Sequence, residues 1–194
     1  TVFVGLIAAG VLFEWRGLVR AFEASAVRRG FWSLGGIAYI GMAAAVLLFL
    51  RGEGGSGGVL VVVGAVIATD VGAYFAGRRF GGQWFGGRKL APRISPNKTL
   101  EGLLGGLLAG VAVGLLCTTF TGMTLAHVPA FIVVAVATVL FSVVGDLFES
   151  LLKRHVGAKD SGTLIPGHGG ILDRLDGVLA ALPIFAVGKE LFGF

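Results

Sequence analysis

The sequence predicts an all-α, polytopic transmembrane helical bundle with about six spans, forming a single domain over residues 1–194. Three observations predict it. Hydrophobic residues fill 55% of the 194 positions and charged residues only 14%, against roughly 25% charged in an ordinary soluble domain. The apolar residues gather in blocks close to the length of a crossing, which takes about 20 residues for a hydrocarbon core of about 30 Å. The blocks are rich in Val, Ala, Leu and Gly without period-two alternation, which selects helices over barrel strands. With a mean hydropathy of +0.89, water is excluded as the solvent for most of the chain.

The first block, 2–13, opens at Thr1 inside an apolar run. It reads as the interior of a span and not as a signal peptide, so further amino-terminal spans are expected to precede it. Segment 14–30 is basic and amphipathic and is expected to lie along the membrane surface. Further spans are expected at 31–50, 59–76, 103–120, 130–148 and 175–194, with a flexible glycine-rich turn at 52–58. The connections at 14–30, 77–102 and 149–174 hold 14 of the 16 lysines and arginines, while 51–58 and 118–129 together hold only Arg51. This bias places the three basic loops in the cytoplasm, and six alternating spans do put all three on one side. A net charge of +5 then needs no nucleic-acid partner, because orientation and anionic head groups account for it. The 34 glycines suit close helix approach in a membrane. The single Cys117 can form no internal disulfide.

Acidic residues within or beside the spans are the informative departures, since each costs about 2.5–3.5 kcal/mol at a helix centre on insertion scales. Asp70 lies inside the third span, on a face shared with Ala73, Tyr74 and Gly77; it is either a site residue or a hydrogen-bonding group between helices. Asp146, Glu149, Ser150 and Lys153 share a face near the end of the fifth span and must line a polar cavity or pair within the bundle. Asp173 and Asp176 face one way at the start of the last span. They suit a helix cap or, beside Arg174 and opposite Asp146, a divalent-cation site of the kind Mg²⁺ completes with phosphate oxygens. Gly167, Gly169 and Gly170 let backbone N–H groups approach an anion, and Lys153, Arg154, Lys159 and Arg174 supply charge to neutralise a polyphosphate. His168 stands between glycines as a structural or phosphate-contacting residue. In the loop 88–102, two prolines bend the backbone while Ser95, Asn97, Lys98 and Thr99 offer donors; the same residues are ordinary turn chemistry, and Thr99 is placed to cap the next helix. No zinc pattern, Ser-His-Asp arrangement or Rossmann fingerprint is present.

At these residues the chain resembles the phosphatidate cytidylyltransferases, or CDP-diacylglycerol synthases. Their signature is a Ser followed by Lys-Arg, Lys-Asp, His-Gly-Gly and Asp-Arg-x-Asp. Here it reads Ser150, Lys153-Arg154, Lys159-Asp160, Gly162, Pro166, His168-Gly169-Gly170 and Asp173-Arg174-Leu175-Asp176. The stretches 70–77 and 95–102, which hold Asp70, Tyr74, Ser95, Asn97, Lys98, Thr99 and Glu101, are also family-like. The resemblance implies a CTP-dependent nucleotidyltransferase of phospholipid biosynthesis that condenses CTP with phosphatidate, giving CDP-diacylglycerol and pyrophosphate. It implies Mg²⁺ held by Asp146, Asp173 and Asp176, with a second cation nearby, and a homodimer. It assigns Asp146, Asp173, Asp176, Lys153, Arg154, Lys159 and Arg174 to catalysis. Asp70, Tyr74, Ser95, Asn97, Lys98, Thr99, Glu101, His168, Gly169 and Gly170 are assigned to substrate binding. The expected location is the bacterial inner membrane, with the site facing the cytoplasm.

Two other readings share some of these features. A CTP-dependent polyprenol or phytol kinase would transfer the γ-phosphate and release CDP. An ion-coupled transporter would also use membrane aspartates and glycine-broken helices, but it leaves the Lys-Arg to Asp-Arg-x-Asp segment without a role.

Overall fold

The computed structural model describes residues 1–52, 56–167 and 169–194. Among them run six α-helices: α1 (Val2–Ala21), α2 (Ala26–Gly52), α3 (Gly57–Phe80), α4 (Leu100–Thr118), α5 (Val128–His155) and α6 (Leu172–Phe192). An antiparallel hairpin of β1 (Lys89–Ala91) and β2 (Ser95–Thr99) is inserted between α3 and α4. Helices α1 to α5 are long and apolar enough to cross a membrane. The last helix, α6, has the length but carries Asp173, Arg174, Asp176, Lys189 and Glu190 near its ends. The chain is an integral membrane protein.

One expectation is corrected. Residues 14–30 do not form a surface segment: α1 continues to Ala21 and α2 begins at Ala26. Trp15, Leu18, Val19 and Phe22, interleaved with Arg16 and Arg20, are all buried, and core packing of that face carries the helix through. Trp15 donates through Nε1 to the Trp32 carbonyl at 3.0 Å. Its ring stands beside Phe148 of α5, so α1 and α2 are pinned to the fifth helix.

Two glycine-lined contacts bring the site helices together. Along α3 and α4, a Cβ at Gly72 would lie 2.6 Å from that of Ala109, and one at Gly105 would collide with Ala76. Between α5 and α6, a Cβ at Gly145 would lie 2.6 Å from both the Ala180 Cβ and the Asp176 carbonyl. Helix association in lipid rests on such close backbone approach, because burying apolar surface gains little against an apolar solvent.

A side chain at Gly105 must therefore push α3 and α4 apart. Gly105→Val is expected to destabilise the protein by about 1–3 kcal/mol, the usual cost of overpacking. Gly41→Val, at a position with nothing within 4 Å of the added Cβ, is expected to leave thermal unfolding in detergent unchanged. Equal melting curves for the two variants would remove the seam from the account of the fold.

Candidate functional site

The hairpin is built to deliver side chains to the helix ends. Its strands pair Lys89 with Thr99 and Ala91 with Ser95, and the turn between them closes through Ile94 N–H to the Ala91 carbonyl at 3.1 Å. Strand β2 runs into α4 without a linker: Thr99 is the N-cap, and its Oγ1 accepts the Gly102 N–H at 3.0 Å. Ser95, Asn97, Lys98 and Thr99 are thereby held against α3 and α5. With Asp70 and Tyr74 of α3 and Asp146 of α5 they line a cavity of about 390 Å³. Lys98 donates from Nζ to Asp146 Oδ2, and Ser150 Oγ donates to Asp146 Oδ1 at 3.3 Å. At the cavity edge, Arg78 Nη1 donates to the Tyr74 hydroxyl at 2.8 Å.

A second polar layer adjoins it where α5, α6 and the connecting segment 156–171 meet. Lys153 Nζ donates to Glu149 Oε2 at 3.3 Å and to Asp173 Oδ1 at 2.6 Å. Asp173 also accepts the Gly170 N–H at 2.8 Å and the Ser161 N–H at 2.9 Å on Oδ2. Both oxygens of Asp173 are thus engaged in shaping the segment. Asp176 follows Asp173 by three residues on α6, and its Oδ1 accepts the Gly177 N–H at 2.7 Å. Asp70, Asp146, Glu149, Asp173 and Asp176 thus lie in these two layers, where Lys98 touches Asp146 and Lys153 touches Glu149 and Asp173. Arg154 reaches the hairpin from Nε, donating to the Ile94 carbonyl at 3.4 Å, and ties the two layers together.

The residues expected from sequence divide accordingly. Asp70, Tyr74, Ser95, Asn97, Lys98, Thr99 and Asp146 share the cavity. Asp173, Asp176, Lys153, Arg154 and Gly170 form the adjoining layer, with Gly169 at φ 85° in the turn before α6. Lys159 and Arg174 are exposed at its rim. Glu101 is not part of the cavity lining: it is 1% exposed and accepts the Gly82 and Phe85 N–H groups at 3.0 and 3.1 Å, which holds the 81–87 loop. His168 lies outside the described residues. Among those described, no group of three or more His, Cys, Asp or Glu side chains is arranged to hold a metal ion. Sequence reasoning missed Glu14, which is 2% exposed, accepts the Leu172 N–H at 2.8 Å and contacts Ser161 Oγ at 3.3 Å. Its signal was a carboxylate inside an apolar helical stripe, hidden by the arginines that follow.

The family model described as the cytidylyltransferase family matches residues 2–192. The phosphatidate cytidylyltransferase of Haemophilus influenzae is 48% identical over 131 residues, which cover 66% of this chain and 44% of that protein. The phosphatidate cytidylyltransferase of Brucella suis is 45% identical over 166 residues, covering 83% of this chain and 58% of the relative. That of Staphylococcus saprophyticus is 41% identical over 151 residues, covering 78% and 55% respectively. The chain thus spans about half the length of the curated relatives it matches.

The grip of Asp173 on the segment is directly measurable. Hydrogen bonds to a charged acceptor contribute about 1.5–3 kcal/mol each, so Asp173→Ala is expected to speed amide exchange at Ser161 and Gly170 by about tenfold or more. Unchanged protection at both amides would mean that other contacts hold the segment.

Proposed function

The chain belongs to the cytidylyltransferase family, and from that premise we propose that it catalyses transfer of the cytidylyl group of CTP to phosphatidate. The products are CDP-diacylglycerol and pyrophosphate. The observation that carries this reading is the meeting of Asp70, Ser95, Asn97, Lys98 and Asp146 around one cavity at the polar end of the helices. A cavity there suits both substrates, since CTP arrives from water while the acyl chains of the lipid remain between spans.

The reaction needs no covalent enzyme intermediate. An ionised phosphate oxygen of phosphatidate forms a bond to the α-phosphorus of CTP as the bond from that phosphorus to the bridging oxygen breaks, and pyrophosphate leaves. Such transfers depend on positioning and on charge stabilisation. Lys98 is the ammonium at the cavity, while Arg154, Lys159 and Arg174 add positive charge around segment 156–171. Ser95, Asn97 and Thr99 offer polar groups to orient the nucleotide or the lipid phosphate. The acidic groups fit a hard divalent cation such as Mg²⁺, which takes one or two carboxylates from protein and the rest of its shell from water and phosphate oxygens. Asp146 and Asp176 would hold it, with Asp70 close by and Asp173 shaping the adjoining segment. Bound there, the ion would offset charge on the transferring and leaving phosphates.

Purified protein in detergent, with no gradient, is expected to release pyrophosphate from CTP when phosphatidate and Mg²⁺ are supplied, and to stop when EDTA is added. Asp146→Asn should reduce that rate by about two orders of magnitude or more. Release of CDP would instead assign a lipid kinase, and gradient-driven uptake without either product would assign a transporter.

The charge bias of the loops supports a site facing the cytoplasm of a bacterial inner membrane. In a Cys117→Ala background, Thr163→Cys is expected to react with a membrane-impermeant maleimide from the cytoplasmic side and Thr121→Cys from the other. Labelling of both from one side would overturn this topology.

A further inference from the structure

Glu14 is a buried carboxylate that the proposed reaction leaves without a role, and it is tied to segment 161–172 at several points. Its Oε2 accepts the N–H of Leu172, the first residue of α6, at 2.8 Å and lies 3.3 Å from Ser161 Oγ. The other face of the same segment is held by Asp173, which takes the N–H groups of Ser161 and Gly170. Ser161 is therefore gripped by two carboxylates at once, by its amide from α6 and by its hydroxyl from α1. The glycines complete the fit. A Cβ at Gly162 would lie 2.6 Å from Glu14 Oε1, and one at Gly170 would run into Ser161 Oγ and the Glu14 carboxylate. Two glycines of this segment are thus accommodated by the carboxylate beneath them. Among the described residues, Glu14 Oε1 is buried without a hydrogen-bond partner, a cost that nothing in helix packing alone requires.

We propose that Glu14 is a positioning residue: it holds Ser161, Gly162, Gly170 and Leu172 against α1, so that Asp173, Asp176 and the charged groups around them keep the arrangement that transfer requires. The inference rests on the proposed cytidylyl transfer for its kinetic consequence and on geometry for the clamp. Glu14 touches neither the cavity lined by Lys98 and Asp146 nor any atom that reacts. Its loss should therefore lower kcat while leaving the KM for CTP close to its original value.

The test compares Glu14→Ala and Glu14→Gln in a Cys117→Ala, Thr163→Cys background, measuring maleimide reactivity of residue 163 and steady-state kinetics per folded molecule. Glu14→Ala is expected to raise the labelling rate and to lower kcat by about tenfold or more with little change in KM. Glu14→Gln keeps an acceptor oxygen for the Leu172 N–H and should restore most of both. Unchanged labelling with unchanged kcat would overturn the proposal. So would faster labelling with normal kcat, which would make Glu14 a latch with no bearing on the reaction. Failure of the Gln variant to recover would overturn the hydrogen-bonding role. If the unsubstituted protein formed no CDP-diacylglycerol, the fault would lie with the proposed reaction; the labelling rates would then decide the clamp alone, equal rates refuting it.

Discussion

The polar end of this bundle depends on the ammonium of Lys153. It is mostly buried, with 13% of its side chain exposed, and it stands between Glu149 on its own helix and Asp173 on α6. A charge in that position is costly unless it is paired and its partners are themselves hydrogen-bonded. Asp173 meets the second condition through two backbone N–H groups of the segment that joins the helices. One cation therefore fixes the spacing of α5 and α6, and through Asp173 it fixes the path of the chain between them. The Gly145 contact lets the two backbones come close enough for this pairing to form.

The candidate site consists of two halves with separate supports. One is α3, the hairpin and α4, locked by glycines and by the Thr99 cap. The other is α5 with α6, locked by Lys153. Among the described residues, Lys98 reaches Asp146 across the joint, and Arg154 reaches the Ile94 carbonyl. Both crossings are made by long, flexible cationic side chains and not by packed backbone. The cavity lies along this joint, where Gly110 of α4 packs on Val139 of α5 and Gly177 of α6 on Val66 of α3, while the polar link at the cavity is the Lys98–Asp146 ion pair. Such an arrangement suits a site that must admit a polyphosphate, because Lys98 can exchange one anionic partner for another without any helix moving.

Much of this was legible in the sequence. Long apolar runs report spans directly, since lipid imposes one backbone solution, and the charges inside or beside them marked Asp70, Asp146, Asp173 and Asp176 as departures needing partners. What failed was local. The arginines after residue 14 suggest a surface segment, but Trp15, Leu18 and Val19 on either side of Arg16 form a buried face that only the neighbouring α2 and α5 make visible. From sequence alone the hairpin is only a proline-bent loop, because strands of three and five residues carry too few positions to show alternation. The pairing of Lys98 with Asp146 spans 48 residues, and no local pattern encodes a contact at that distance. Glu101 stands among the expected site residues only through the family-like stretch 95–102. Burial turned it inward to hold the 81–87 loop instead.

The bond from the Leu172 amide to Glu14 closes 158 residues of chain, and this has a consequence for biogenesis. At roughly 5–20 residues per second of synthesis, the partner of Glu14 emerges about 8–30 s after the carboxylate itself. During that interval α1 must enter the bilayer with an acidic side chain that has nothing to accept from. Glu14 stands toward the basic end of α1, directly after the apolar run 2–13 and ahead of Arg16 and Arg20, where the insertion cost of a carboxylate is lower than at a span's centre. The same carboxylate near the middle of the span would face the full insertion cost before any partner existed. The order in which the ribosome supplies the two ends of this bond thus limits where along α1 the acid can stand.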